Sequence, residues 1–115
     1  LDPILLIDFR HFVVFDLMQY QKFYLQYEKI ELMEMAMANN KIYFNEFNKD
    51  IYEKNFSLIL SSNLNRVEKY YQDYEYWYEN NVWVNYVSNP ILDNYQPLYT
   101  NDELRITIYH PKDKP

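Results

Sequence analysis

The sequence has 115 residues, which is enough for one domain with one modest hydrophobic core. Its formal net charge is −6 and its 11 Lys and Arg residues form no cluster, so the composition disfavours binding to nucleic-acid phosphates. Cysteine and glycine are both absent, which excludes disulfides, thiolate metal sites and the Gly-rich loops that cradle phosphates.

The first predicted element is a helix over about 3–39. Asp2 supplies an N-cap, Pro3 suits the first helical position, and no other proline occurs before Pro90. Residues 4–18 are apolar on almost every side, but this stretch is too short and too charged to span a membrane. It predicts a helix that is buried, or that lies against a larger partner or a membrane edge, and the run FVVF leaves a strand as the alternative.

The later part of this helix has a clear helical period. Apolar residues recur at spacings of three and four, namely Phe23, Tyr27, Ile30, Met33 and Met37. Asn39 and Asn40 are expected to end the helix in place of a glycine. A second helix is predicted over about 42–60, and its inward-facing residues would be Tyr43, Phe47, Ile51 and Leu58.

A third helix is predicted over about 64–79, after a break at residues 61–63. The apolar face of this helix would carry Val67, Tyr70, Tyr74, Trp77 and Tyr78. The alternative is a hairpin in which strands 74–78 and 82–86 flank a turn at residues 79–81. The helix is preferred because the preceding stretch NLNRVEK has a helical pattern, and the break then falls at Asn80-Asn81.

After Asn89-Pro90 the chain is expected to be an extended tail that is punctuated by prolines. One short strand is predicted at about 104–109, where apolar and polar residues alternate, and this strand needs a partner for its backbone groups. The predicted fold class is therefore mainly α, with a helical domain over 1–89 and an extended tail over 90–115.

No arrangement of residues in the sequence predicts a reaction. Asp8 and His11 would share one face of a helix, but they are interpreted as a polar surface patch. The two histidines, His11 and His110, lie too far apart for a recognisable metal-ligand spacing. We therefore expect no catalytic residue, no metal site and no cofactor, and we expect that the protein is not an enzyme.

The high content of aromatic residues is the feature of the composition that the predicted elements do not explain. The chain has 14 Tyr, 7 Phe and 2 Trp, which is more ring surface than so small an interior holds easily. Tyrosine and tryptophan are favoured at protein interfaces, where one edge of the ring is dry and the other stays wet. The predicted partner interface consists of Tyr70, Tyr74, Trp77, Tyr78, Trp83, Phe9 and Phe12.

Residues with A/T-rich codons (Phe, Tyr, Met, Ile, Asn and Lys) make up nearly half of the chain. In this composition the chain resembles the A/T-biased accessory subunits that ciliate-type mitochondrial genomes encode. The resemblance implies a non-catalytic structural subunit of a large assembly in the mitochondrial inner membrane, either a respiratory complex or the ATP synthase, with other protein subunits as its partners. The alternatives are a small viral or phage structural or regulatory protein, and an autonomous helical protein-binding module.

Overall fold

A computed structural model describes residues 3–7, 22–24, 27–73 and 75–113. These residues contain five strands that form one mixed sheet: β1 (Pro3–Leu6), β2 (Lys22–Tyr24), β3 (Leu58–Ser62), β4 (Tyr95–Asn101) and β5 (Ile106–Pro111). The strand order is β2-β1-β3-β5-β4. β1 is parallel to β2 and β3, whereas β5 is antiparallel to β3 and β4.

The helices follow the first two strands and precede the last two. They are α1 (Lys29–Met37), α2 (Lys41–Tyr52), α3 (Trp77–Trp83) and α4 (Asn89–Asn94), and the π-helical turn Val84–Ser88 joins α3 to α4. α1 packs against α3, and α2 packs against α4. The described chain therefore places two helical pairs beside one sheet.

Local capping interactions explain where α1 and α2 begin. The Glu28 carboxylate accepts a hydrogen bond of 2.8 Å from the Glu31 N–H, and Asn40 Oδ1 accepts one of 3.0 Å from the Tyr43 N–H. Asn39 follows α1 with a φ of 53°, the left-handed conformation that a glycine usually supplies. The prediction that asparagine ends this helix in place of glycine is confirmed for Asn39, whereas Asn40 is the N-cap of α2.

The hydrophobic core lies between one face of the sheet and the helices. Leu5, Ile59 and Tyr109 are register partners on β1, β3 and β5, so their side chains share this face. The helical residues buried against it are Leu32, Ala36, Phe44, Phe47, Ile51, Val87 and Ile91. Several rings meet edge to face in the core, as Tyr27 and Phe47 do at a centroid distance of 5.0 Å.

Two buried tyrosines tie the last hairpin to the middle of the chain. The Tyr95 hydroxyl donates to the Phe56 carbonyl at 2.8 Å and accepts from the Phe56 N–H at 3.3 Å. The Tyr109 hydroxyl accepts from the Leu64 N–H at 2.8 Å. Burial raises the pKa of Tyr95 to about 12 and also raises the pKa of Tyr109, so both hydroxyls stay protonated at neutral pH.

The mainly α prediction is wrong, because both apolar runs that were assigned to helices form strands. Residues 4–7 read ILLI and residues 58–60 read LIL, and each run is apolar at consecutive positions instead of at helical spacing. Such continuous runs suit parallel strands that are buried on both faces. The predicted helix over 3–39 is helical only over Lys29–Met37 among its described residues, and the second helix ends at Tyr52 instead of 60.

Positions inside these helices were predicted with mixed success. Phe47 and Ile51 face the core as expected, whereas Leu58 lies on β3. Ile30 was expected to face inward but is exposed, because α1 buries Leu32 and Ala36 instead.

The helix that was predicted over 64–79 begins only at Trp77, and residues 63–70 have no regular secondary structure. The hairpin alternative is also not observed, since Asn80 and Asn81 lie inside α3. The expected domain boundary at 89/90 falls inside α4, between its first two residues, Asn89 and Pro90. The strand predicted at 104–109 corresponds to β5, which pairs with both β3 and β4.

Candidate functional site

Five exposed rings lie at the start of α3 and in the irregular segment that precedes it. We call this set the aromatic surface, and it consists of Tyr70, Tyr71, Tyr76, Trp77 and Tyr78. Tyr71 and Trp77 meet at a centroid distance of 6.3 Å, and Trp77 and Tyr78 meet at 5.7 Å. The exposed fraction of these side chains ranges from 73% for Tyr70 to 37% for Trp77. Tyr71, Trp77 and Tyr78 therefore contact one another in a row, and all five rings leave more than a third of their area in solvent.

The segment 64–70, which we call the strap, has no regular secondary structure and is held to α3 by asparagine side chains. Asn81 Oδ1 accepts from the Lys69 N–H at 2.7 Å, and Asn81 Nδ2 donates to the Lys69 carbonyl at 2.9 Å. Asn80 Nδ2 donates to the Val67 carbonyl at 2.9 Å. The Asn81 amide thus pairs with both backbone groups of one strap residue, as a neighbouring strand would.

Further along the helical segment, other polar side chains continue this attachment. Asn85 Nδ2 donates to a Glu68 carboxylate oxygen at 3.0 Å. Arg66 forms an ion pair of 2.8 Å with Asp93 and donates to Asn89 Oδ1 at 3.3 Å. The residues on the helical side, 81, 85, 89 and 93, are spaced four apart, which places them along one side of the segment. The strap is therefore anchored along its length just before the aromatic surface begins.

A groove between α1 and α3 adjoins the aromatic surface and shares Tyr76 with it. Its volume is about 240 Å³, and it is lined by Lys29, Met33, Tyr76, Glu79, Asn80 and Trp83. Besides its bond to the Val67 carbonyl, Asn80 Nδ2 donates to Asn81 Oδ1 at 3.0 Å, so two strap-side acceptors orient this amide. The groove combines rings, an apolar thioether, one carboxylate, one ammonium group and one oriented amide.

The stretch of chain that carries the aromatic surface is acidic. The sequence has no Lys or Arg between residues 70 and 104, and its carboxylates in this stretch are Asp73, Glu75, Glu79, Asp93, Asp102 and Glu103. Asp73 and Glu75 are exposed among the rings, and Glu79 lines the groove. The surface therefore favours cations and repels anions.

The predicted interface residues fall into three groups. Tyr70, Trp77 and Tyr78 lie together on the aromatic surface, while Trp83 is half-buried, lines the groove and packs against the core. Three other residues lie outside the described part of the chain, namely Tyr74, Phe9 and Phe12. The prediction of this interface stays a prediction, because no partner chain is present to test it.

Several residues of this site were not singled out from the sequence. Tyr71 and Tyr76 were omitted because a helix over 64–79 places them on another face, whereas in the structure Tyr71 contacts Trp77 and Tyr76 is exposed directly before Trp77. Asn80 and Asn81 were interpreted as a helix break. Their spacing to Asn85 and Asn89 was the available signal, since asparagines four apart on a helix present a row of amides.

The described residues hold no other arrangement that indicates chemistry. Among the described residues, the buried hydroxyls of Tyr43, Ser61 and Ser88 have no hydrogen-bond partner. Within the described ranges there is no group of three or more side chains that could hold a metal ion, and no helix long and apolar enough to cross a membrane. Thr107 contacts Asn63 and Thr100 by hydrogen bonds, which form a small polar row on the sheet.

Comparison with known protein families, with curated proteins and with solved structures found no match for this chain.

Proposed function

We propose that this protein is a non-catalytic accessory subunit that binds another protein through its aromatic surface. The observation that carries the proposal is the cluster of five exposed rings. Tyr and Trp contribute large contact areas with few rotatable bonds, and they dominate the binding energy of many protein interfaces. The core is already filled by other rings, such as Phe44 and Phe47, so these five are not needed to complete it.

The anchored strap supports the same proposal. Binding costs free energy when flexible side chains and loops must be ordered at the interface. Asn81 and Asn80 fix the backbone that leads into Tyr70 and Tyr71 before any partner arrives. Preorganised rings therefore retain more of their contact energy as affinity.

The charge around the rings favours a positively charged partner protein over a second copy of this chain. A symmetric dimer uses the same patch on both subunits, so the carboxylates Asp73, Glu75 and Glu79 of both subunits would be brought into one interface. Like charges that face each other across an interface cost free energy and lower the association rate. Nucleic acid is disfavoured for the same reason, because its phosphates would meet these carboxylates.

Site-specific photocrosslinking tests the proposal. The chain is expressed in the source cells with p-benzoylphenylalanine in place of Tyr71, and a matched chain carries the same group in place of Tyr52, a 75% exposed ring at the end of α2. We expect one discrete crosslinked product with a different protein at position 71 and no such product at position 52. We also expect the tagged chain to migrate on native gels in an assembly much larger than its own 14.4 kDa.

A triple variant supplies the loss-of-function arm. Tyr70→Ser, Tyr71→Ser and Trp77→Ser together should release the chain from the assembly, whereas Tyr52→Ser should not. A crosslinked product of twice the chain mass at position 71 would show self-association and contradict the proposal. Equal crosslinking at positions 71 and 52 would contradict it too.

A further inference from the structure

We infer that the partner inserts an arginine side chain into the groove between α1 and α3. This inference rests on the proposed function, and it names the chemistry that the partner must present. The groove opens beside the aromatic surface at Tyr76, so a segment that covers the rings also passes the groove.

The size of the groove suits one side chain. Sites for drug-sized ligands usually have volumes of about 300–1,000 Å³, and the volume here is about 240 Å³. A long, narrow side chain is therefore a better fit than a ring system or a folded element.

The lining of the groove matches the two halves of an arginine. Met33 and Trp83 offer an apolar wall for the methylene stem. Tyr76 and Trp83 offer ring faces to the guanidinium, which is attracted by the negative charge above an aromatic ring. The Glu79 carboxylate can accept two parallel N–H bonds from the planar guanidinium.

Asn80 adds an oriented acceptor. Its Nδ2 already donates to the Val67 carbonyl and to Asn81 Oδ1, so both N–H groups of the amide have acceptors within the protein. Its Oδ1 is the remaining group of the amide, and it can accept from a donor only. An arginine has five such donors, whereas an apolar side chain would leave this oxygen and the Glu79 carboxylate without partners.

Lys29 places a positive charge on the opposite wall, so the groove lining alone carries no excess of negative charge. The excess comes from Asp73 and Glu75 on the adjoining aromatic surface, in a stretch of chain without Lys or Arg. A guanidinium is more weakly hydrated than an ammonium group and stacks on rings, so it tolerates this mixed setting better than a lysine does.

Tryptophan fluorescence tests the inference on the full-length chain. The only two tryptophans are Trp77 and Trp83, one on the aromatic surface and one in the groove, so the intrinsic signal reports this region. The probe is the peptide N-acetyl-Ala-Arg-Ala-amide, and its control contains the neutral isostere citrulline instead of arginine. We expect a saturable fluorescence change with the arginine peptide and binding about tenfold weaker with citrulline, since the charge-assisted bonds to Glu79 are lost.

Two protein variants locate the binding. Glu79→Gln should weaken binding of the arginine peptide about tenfold, and glutamine preserves an acceptable residue in the first turn of α3. Glu103→Gln removes an exposed carboxylate from the β4–β5 turn and should leave the affinity unchanged. Circular dichroism verifies that both variants fold, and the citrulline comparison on the unmodified chain does not depend on either variant.

The outcomes separate this inference from the proposed function. Equal binding of the arginine and citrulline peptides, no saturable change with either, or equal affinities for Glu79→Gln and the unmodified chain would overturn the inference. If crosslinking at position 71 still captures a different protein, the proposed function stands without the arginine. If no such protein is captured, the proposed function fails, whatever the peptide titration shows.

Discussion

Single side chains hold distant segments of this small protein together, and Tyr95 is the clearest example. Its ring is fully buried, and its hydroxyl pairs with both backbone groups of Phe56, which lies 39 positions away. The hydroxyl thus satisfies the N–H and the carbonyl of Phe56, which in a sheet would form hydrogen bonds with a neighbouring strand. Tyr95 thereby fixes the chain between α2 and β3 against the start of β4.

The protonation of Tyr95 makes the stability of the protein depend on pH. Burial raises its pKa from 10.0 to about 12, so the folded state binds this proton more tightly than the unfolded state does. The stability from this group is fully present below pH 10 and is lost as the pH rises from about 10 towards 12. We expect the free energy of unfolding, measured by urea titration, to fall in this window by up to about 1.4 kcal/mol per pH unit for each such tyrosine.

The variant Tyr95→Phe separates this effect from general alkaline unfolding. At pH 8 it should unfold about 1–3 kcal/mol more easily, because both backbone groups of Phe56 lose a buried partner. Between pH 10 and 12 its stability should fall less steeply than that of the unmodified chain. An identical slope for both proteins would show that Tyr95 is not a source of the pH dependence. Tyr99→Phe, at an exposed ring on β4, is the matched control.

Among the elements, the strap depends on tertiary contacts more than on its own residues. The stretch NLNRVEK has an acceptable helical pattern, yet its backbone groups at Val67 and Lys69 bond to asparagine amides of α3. Helical propensity is a weak preference of less than about 1 kcal/mol per residue, so a few such bonds outweigh it. The helix was predicted because these partners lie 12 and 13 positions further along the chain, beyond the reach of a local pattern.

Removing the main anchor of the strap should expose it to protease. In Asn81→Leu the side chain has a similar size but cannot bond to Lys69, and we expect the strap to open more readily by about 1–2 kcal/mol. Arg66 and Lys69 are trypsin sites within the strap, so limited trypsinolysis followed by mass spectrometry reports the opening. Cleavage after these two residues should accelerate about tenfold in the variant.

The control for the strap is Asn45→Leu, an exposed asparagine on α2. Its cleavage after Arg66 and Lys69 should match that of the unmodified chain. Unchanged cleavage in Asn81→Leu would mean that the remaining contacts, above all the Arg66–Asp93 ion pair, hold the strap alone.

The strands show a different limit of sequence reasoning. ILLI and the LIL of LILSS were assigned to helices because short apolar runs fit a buried helix and a buried strand equally well. Within LILSS, burial on both faces makes Ile59 and Leu60 equally inaccessible, so no alternation is visible. By contrast, residues 104–109 alternate between apolar and polar types, so a strand was expected there, although neighbouring residues of opposite faces, Ile106 and Thr107, are both buried in β5.

At the scale of the whole molecule, the order of the strands in the sheet determines which parts of the chain can fold without the others. β5 came last in the chain and was expected to belong to an extended tail, yet it lies between β3 and β4 in the sheet. The outer strand β4 carries Pro97 and a register shift between Pro97 and Tyr99, features that hinder pairing with further strands. The C-terminal part of the chain thus supplies an inner strand of the sheet, β5, and an outer strand, β4, that is poorly suited to pair with a further strand.

This arrangement predicts that residues 1–89 cannot fold alone. A chain ending at residue 89 loses α4, β4 and β5, and with them the core rings of Tyr95 and Tyr109. β3 would then have an unpaired edge, and Phe56 and Leu64 would lose their hydroxyl partners. We expect no cooperative urea transition and weak near-ultraviolet circular dichroism, whereas removal of residues 113–115 alone should preserve both signals. A cooperative transition in the chain that ends at residue 89 would show instead that the helices and parallel strands form an independent unit, because only a packed core unfolds in that manner.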